Sequence, residues 1–165
     1  MKLKQEKLSL NLVKADALET LGVGAFDYIL IDSPPSLNLL TINALTAADA
    51  VLVPLQVEFY ALEGLSHLLS TIERVRRVFN PRLDIQGVVL TMFDKRNNLS
   101  EMVAEDVRNH LGDKVYSTII PRNVRISEAP SFGKPVLLYD HSCAGARAYI
   151  HLAGELLKRE RAAAA

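Results

Sequence analysis

The sequence predicts an α/β fold: a doubly wound, mainly parallel sheet. Three observations carry this. Short uninterrupted apolar runs recur along the chain, stretches with helical periodicity lie between them, and turn residues separate the two kinds of segment. A parallel strand covered on both faces needs a continuous apolar run rather than an alternating one. Tyr28-Ile-Leu-Ile31, Val51-Leu-Val53, Val88-Val-Leu90 and Val115 to Ile120 have that character.

Taken in order, Leu8, Leu12, Ala15 and Leu18 suit a helix, although Leu8-Ser-Leu-Asn-Leu alternates like a strand; a helix is the expectation. The strand at Tyr28–Ile31 comes next, then the strand at Val51. Leu62, Leu65, Leu69, Ile72, Val75 and Phe79 recur at three and four residues and predict one buried helical stripe, with Glu73, Arg74, Arg76 and Arg77 outside it. After the Val88 strand, Asn98 and Glu101 have the spacing of a capping box, and Gly112 suits a left-handed helix end. A strand over Val115 to Ile120 follows. The last helix, from about Gly145 to Lys158, is expected to bury Tyr149, Ile150, Ala153 and Leu157, with RERAAAA as its fraying end or a tail. No internal repeat or linker is evident.

The 165 residues fit one domain, and 49% apolar with 23% charged content is that of an ordinary soluble globular chain. Nineteen basic residues balance nineteen acidic ones, so any attraction for nucleic acid must come from a local patch. The single cysteine, Cys143, excludes an internal disulfide and suits a reducing cytosol; it reads as a small packing residue. No apolar run is long enough to span a bilayer, and no apolar h-region follows the charged N-terminal residues. The four histidines are dispersed, which argues against zinc. Ser36 lacks the Gly-x-Ser-x-Gly setting of a hydrolase elbow, and nothing sets Glu58 and Glu63 up as an acid–base pair.

The sharpest local signal is Phe26-Asp-Tyr-Ile-Leu-Ile-Asp32-Ser-Pro-Pro-Ser36. Proline cannot donate to a sheet ladder, so Pro34 and Pro35 end the strand and place Asp32 at its carboxyl edge, where ligands of open α/β sheets bind. A carboxylate there can orient Mg²⁺ or its waters beside a triphosphate. Taken alone, the pattern is common, and a turn cap is the simpler reading.

A longer string of blocks changes that balance. Asp32-Ser-Pro-Pro-Ser-Leu37, Leu39-Leu-Thr-Ile-Asn-Ala-Leu45, Gln56-Val-Glu-Phe-Tyr-Ala-Leu-Glu-Gly-Leu65, Leu90-Thr-Met-Phe-Asp94, Ile120-Pro-Arg-Asn-Val-Arg125, Ser127-Glu-Ala-Pro130 and Gly133-Lys-Pro135 occur in this order. Together they resemble the ParA/Soj family of chromosome-partitioning ATPases, over roughly residues 26–160, with residues 1–25 weakly matched and 161–165 a tail. The resemblance implies the C-terminal portion of such a protein. Its fold would be a partial doubly wound sheet of the P-loop NTPase (SIMIBI) type, lacking the P-loop strand. Full-length relatives would bind and hydrolyse ATP with Mg²⁺, dimerise, bind DNA non-specifically and segregate chromosomes or plasmids with a ParB-type partner. A cytoplasmic, nucleoid-associated location without stable membrane association is implied.

Carried over by position, Asp32 would be the Walker-B carboxylate, meeting Mg²⁺ indirectly, and Ser33 and Pro34 would begin the γ-phosphate switch. Met92, Pro121, Arg122, Asn123 and Val124 would line the adenine. Glu58 and Tyr60 would lie near the dimer interface, while Lys95, Arg96 and Arg125 would meet DNA phosphates. On residue type alone, each has an ordinary alternative: solvated arginines, core Met92 and Val124, and a loop carboxylate at Glu58.

The sequence departs from the family in one respect. It holds no Gly-rich string ending in Gly-Lys-Ser/Thr; Gly22 and Gly24 are followed by Ala-Phe. Such a string supplies the backbone N–H groups and lysine that stabilise phosphoryl transfer. The expectation is weak or absent nucleotide binding and no meaningful ATP hydrolysis by this chain alone. A sheet without its P-loop strand would leave ladders unpaired, so self-association is also expected. Two other readings remain: a non-catalytic DNA- or partner-binding module that regulates a complete ParA, and a MinD-like ATPase relative.

Overall fold

The computed structural model describes residues 27–33 and 38–163. The helix expected over the first twenty residues, Pro34 to Leu37 and the final two alanines lie outside them. The chain divides into two compact units, one of residues 1–51 with 67–84, the other of residues 52–66 with 85–165.

In the first unit, helix α1 (Leu39–Ala47) occupies a stretch for which the hydrophobic pattern predicts no element. Asn38 starts it: its side-chain oxygen accepts from the backbone N–H of Leu40 at 3.0 Å and of Thr41 at 3.2 Å. Asn80 closes it, donating Nδ2 to the carbonyls of Leu45 (3.2 Å) and Ala48 (2.7 Å), groups that a helix end otherwise leaves to water.

The strand expected at Tyr28–Ile31 is absent. The four side chains are 49%, 44%, 89% and 40% exposed, and the residues take no strand conformation. A strand exists through its inter-strand hydrogen bonds, and the sheet among the described residues pairs only two other segments.

Those segments are β1 (Ala50–Gln56) and β2 (Asp84–Thr91). Asp84 N–H donates to Asp49 C=O at 3.1 Å and Val57 N–H donates to Thr91 C=O at 3.2 Å. Early residues meet early and late meet late, so the strands are parallel, as expected. Between them runs α2 (Ala61–Val78), which buries Ala61, Leu65, Ile72 and Val75. Phe79 lies past its end and is 40% exposed, so the expected stripe stops one step short.

In the second unit a third backbone line, Val115 to Arg122, follows β2 in parallel, bridging Val88 to Val115 and Phe93 to Pro121. It is not the continuous strand expected at Val115–Ile120. The N–H groups of Ser117 and Thr118 turn instead to the Glu155 carboxylate, at 2.8 and 2.9 Å. Burial pushes the Glu155 carboxyl upward, but these donors, the Thr118 hydroxyl and Arg159 outweigh it and hold the group below its ordinary range. Arg159 also donates to the Asp113 and Val115 carbonyls and lies 4.1 Å over the Tyr116 ring.

Helix α3 (Asn98–Leu111) is capped by Asn97, one residue before the expected cap; its side chain accepts from Leu99 N–H. Gly112 ends it at φ 51°. Short helices α4 (Val124–Glu128) and α5 (Val136–Tyr139) lead to α6 (Ala144–Ala163). The buried residues of α6 are Ala146, Ala148 and Leu152, the last two packed with Val89, Tyr116 and Ile120. The expected face was wrong: Tyr149, Ile150 and Leu157 are 39%, 53% and 39% exposed, and Ala153 is exposed too. Gly145 fixes the phase, because a Cβ there would meet Ile126 at 2.5 Å.

Candidate functional site

The carboxyl ends of the three parallel lines in the second unit form one edge, the side on which α/β sheets hold their ligands. After β1 come Glu58, Phe59 and Tyr60. They turn tightly into α2, with Ala61 N–H donating to Glu58 C=O at 2.9 Å. After β2 comes Met92 at φ 56°, the one non-glycine residue with positive φ among the described residues. That conformation costs an L-residue energy and clusters at functional sites. Phe93 then locks onto the third line: its N–H donates to Ile120 C=O at 3.2 Å, and its carbonyl accepts from Arg122 N–H at 2.9 Å.

The edge therefore brings together Glu58, Met92, Pro121 and Arg122, and Arg122 Nη2 stands 3.9 Å from Glu58 Oε1. Asn123 caps α4 through its side chain, accepting from Arg125 N–H at 2.9 Å. Val124, the first residue of that helix, is 69% exposed. Phe59 and Tyr60 meet edge to face with centroids 5.1 Å apart, and both residues are more than 70% exposed. A cleft of about 480 Å³ lies beside them, lined by Gln56, Glu58, Tyr60 and Gly64 among others.

The arginines read as DNA contacts are exposed, and each is paired with a carboxylate. Arg96 folds back on Asp94 in a two-pronged contact, Nε to Oδ1 at 3.0 Å and Nη2 to Oδ2 at 2.8 Å. Those bonds hold the Asp94 carboxyl down at about 2 and push Arg96 above its usual value. Arg125 donates Nη1 to Glu128 Oε2 at 2.8 Å, and its Nε lies 3.6 Å from Asp140 Oδ2. Tyr139 donates to the same Glu128 oxygen at 3.3 Å. Lys95 is exposed. Asp94, Glu128 and Asp140 are the residues that sequence reasoning gave no role. The short spacings Asp94–Arg96 and Arg125–Glu128 were the available signal.

Asp32 and Ser33 belong to the other unit, and both are exposed; Pro34 lies outside the described residues. No group of three or more His, Cys, Asp or Glu among the described residues is arranged to hold a metal ion.

The family model described as an AAA domain matches residues 1–85. The chain is 69% identical over 147 residues to a Caulobacter vibrioides protein named chromosome partitioning protein ParA, covering 88% of this chain and 55% of that one. It is 59% identical over 131 residues to the Bacillus subtilis sporulation initiation inhibitor protein Soj, covering 79% of this chain and 52% of the other. The chain belongs to the ParA/Soj family. It spans about half the length of the curated relatives it matches.

Two solved structures bear out the α/β, P-loop NTPase-type fold that the ParA/Soj blocks imply. Cobyrinic acid a,c-diamide synthase from Mycobacterium smegmatis superposes with a TM-score of 0.72 at 36% identity, over 90% of this chain and 53% of that one. The same enzyme is also known with a bound ATP analogue and magnesium. The Pyrococcus furiosus cell division ATPase MinD gives 0.69 at 26% identity, over 87% and 56%. No helix among the described residues is long and apolar enough to cross a membrane.

Proposed function

We propose that this chain is part of a ParA-type partition protein and supplies the base side of its ATP site, its dimer contact and its DNA contact. The observation that carries the reading is the lock between the Phe93 turn and the Ile120–Arg122 segment. Two family blocks far apart in sequence are held side by side at a sheet's carboxyl edge, with a strained Met92 between them. In this reading Met92, Pro121, Asn123 and Val124 take the adenine. Asp32, exposed, orients Mg²⁺ through water, with Ser33 and Pro34 as the start of the phosphate sensor. Exposed Tyr60, beside Glu58, suits an interface with a second copy, since large exposed aromatics are enriched at such surfaces. Lys95, Arg96 and Arg125 meet the backbone of DNA, and a ParB-type protein is the partner.

The residues fit the base half of a nucleotide better than its phosphate half. Bound Mg²⁺ would neutralise triphosphate charge, yet the sequence has no Gly-Lys-Ser/Thr string to cradle it. Adenosine and ATP·Mg²⁺ should therefore compete for a fluorescent adenine nucleotide within about tenfold of each other, a gap of about 1.4 kcal/mol. ParB-type protein should elicit no phosphate release from the purified chain. Selectivity for ATP of a hundredfold or more, or stimulated turnover, would overturn this.

The missing string also favours a second reading, a non-catalytic module that binds DNA or a complete ParA. Detectable DNA retention with no adenine competition would select it. The MinD-like reading asks α6 to lie on lipid, but its large exposed apolar residues stop at Leu157 before Lys158, Arg159, Glu160 and Arg161.

A further inference from the structure

Each arginine at the carboxyl edge of the second unit stands against a carboxylate. Arg96 is gripped on two prongs by Asp94, Arg122 faces Glu58, and Arg125 is held between Glu128 and Asp140. A carboxylate presents oxygens to a guanidinium much as a phosphate does, so the two compete for the same N–H donors. Arg96 is 88% exposed at its side chain and Arg125 52% exposed. Their partners therefore occupy the donors without hiding the residues from a ligand.

We infer that Asp94 and Glu128 act as internal phosphate mimics, which hold Arg96 and Arg125 in a neutralised state and set the affinity of this edge for a polyanionic backbone. The inference rests on the DNA contact proposed above and adds its regulation. A phosphate competes with Asp94 for the Arg96 donors and with Glu128 for those of Arg125. The chain's affinity for DNA is then lower, and its salt dependence shallower, than its count of edge arginines suggests, because an arginine already paired with a carboxylate displaces fewer DNA counterions. Two features separate the two latches. Asp94 grips Arg96 and the turn that carries it, receiving Arg96 N–H at 3.0 Å as well as the side chain. Glu128 also receives the Tyr139 hydroxyl.

The test is retention of a random-sequence duplex by the purified chain, measured over a salt series. Asp94→Asn and Glu128→Gln keep an oxygen at each position while removing the charge. Glu105→Gln, at an exposed position of α3 outside these pairs, makes the same charge change. Exposed pairs are weak, so each latch variant should tighten binding about two- to fivefold and steepen the salt slope, with Glu105→Gln near the native value. Arg96→Ala and Arg125→Ala should weaken it. If the arginine variants weaken retention while Asp94→Asn and Glu128→Gln leave it unchanged or lower it, the latch is wrong and the DNA contact stands. An equal gain in Glu105→Gln also rejects the latch, reducing it to net charge. If native chain and latch variants alike retain no DNA, or the arginine variants change nothing, the DNA contact fails and takes the latch with it. Far-UV circular dichroism checks folding, and Asp94→Asn alone suffices should Glu128→Gln unfold.

Discussion

Arg96 reaches Asp94 across a two-residue step, so the pair forms within one turn and needs no distant element to hold it. Its signature is the Asp94 carboxyl, lowered from 3.8 to about 2 chiefly by the Arg96 side-chain bonds. A carboxyl depressed by folding adds stability that is fully present above its unfolded value of 3.8 and disappears as pH falls through about 2. Carboxyl ¹³C NMR should place the Asp94 midpoint near 2, and Arg96→Ala should return it toward the ordinary range. A midpoint indifferent to that substitution would refute the contact. At this scale the sequence marked where chemistry sits more reliably than what each side chain touches. The ordered blocks point to Glu58, Met92, Pro121 and Arg122, and the fold gathers these at one edge. They also mark Arg96 and Arg125, but not the carboxylates that their rotamers meet, and rotamers are not written in spacing. Asp140 reaches Arg125 only because the chain returns at the end of α5.

Between elements, the close approach of β2 and the third line is set by Gly87. A Cβ there would lie 2.6 Å from the Tyr116 ring and 2.8 Å from the Lys114 carbonyl oxygen. The carbonyl is backbone and cannot swing aside, so Gly87→Ala should cost about 1–3 kcal/mol through overpacking. Urea titration of native chain and variant would show it as a lowered midpoint at similar slope, and an unchanged midpoint would mean the two lines are not packed as described. Parallel β1 and β2 and the stripe of α2 were legible from their continuous apolar runs and three-and-four period, and here the paired strands and the buried residues of the helix confirm that pattern. The face of α6 was not. Its sequence carries two apolar stripes one residue out of phase, and the choice falls to tertiary contacts: Gly145 against Ile126, and Leu152 in the cluster around Tyr116. The Val115 line was legible as apolar and extended, but the diversion of its N–H groups to Glu155 depends on a residue from the far end of the chain.

For the whole molecule, the decisive feature is the apolar run from Tyr28 to Ile31. The pattern reads as a buried strand, and the structure leaves all four side chains at least 40% exposed, with Leu30 at 89%. Contiguous exposed apolar residues seek another surface, and a chain with balanced charges has little repulsion to prevent it. The 165-residue chain should therefore self-associate, with a sedimentation coefficient that rises with concentration in the micromolar range. A charge at the most exposed position opposes this directly, so Leu30→Lys should shift the distribution toward monomer while leaving the thermal midpoint nearly unchanged, because the side chain it replaces buries little in the single chain. Raised sulfate should strengthen association of the native chain, as it does for apolar burial, whereas contacts made by charged residues such as Glu58 and Arg122 would weaken with salt. A native chain that sediments as a monomer at every concentration would show that the run is not an association surface. Association that Leu30→Lys leaves intact would instead move the contact to the exposed Phe59–Tyr60 pair, and Tyr60→Ala would then be the variant that dissolves it.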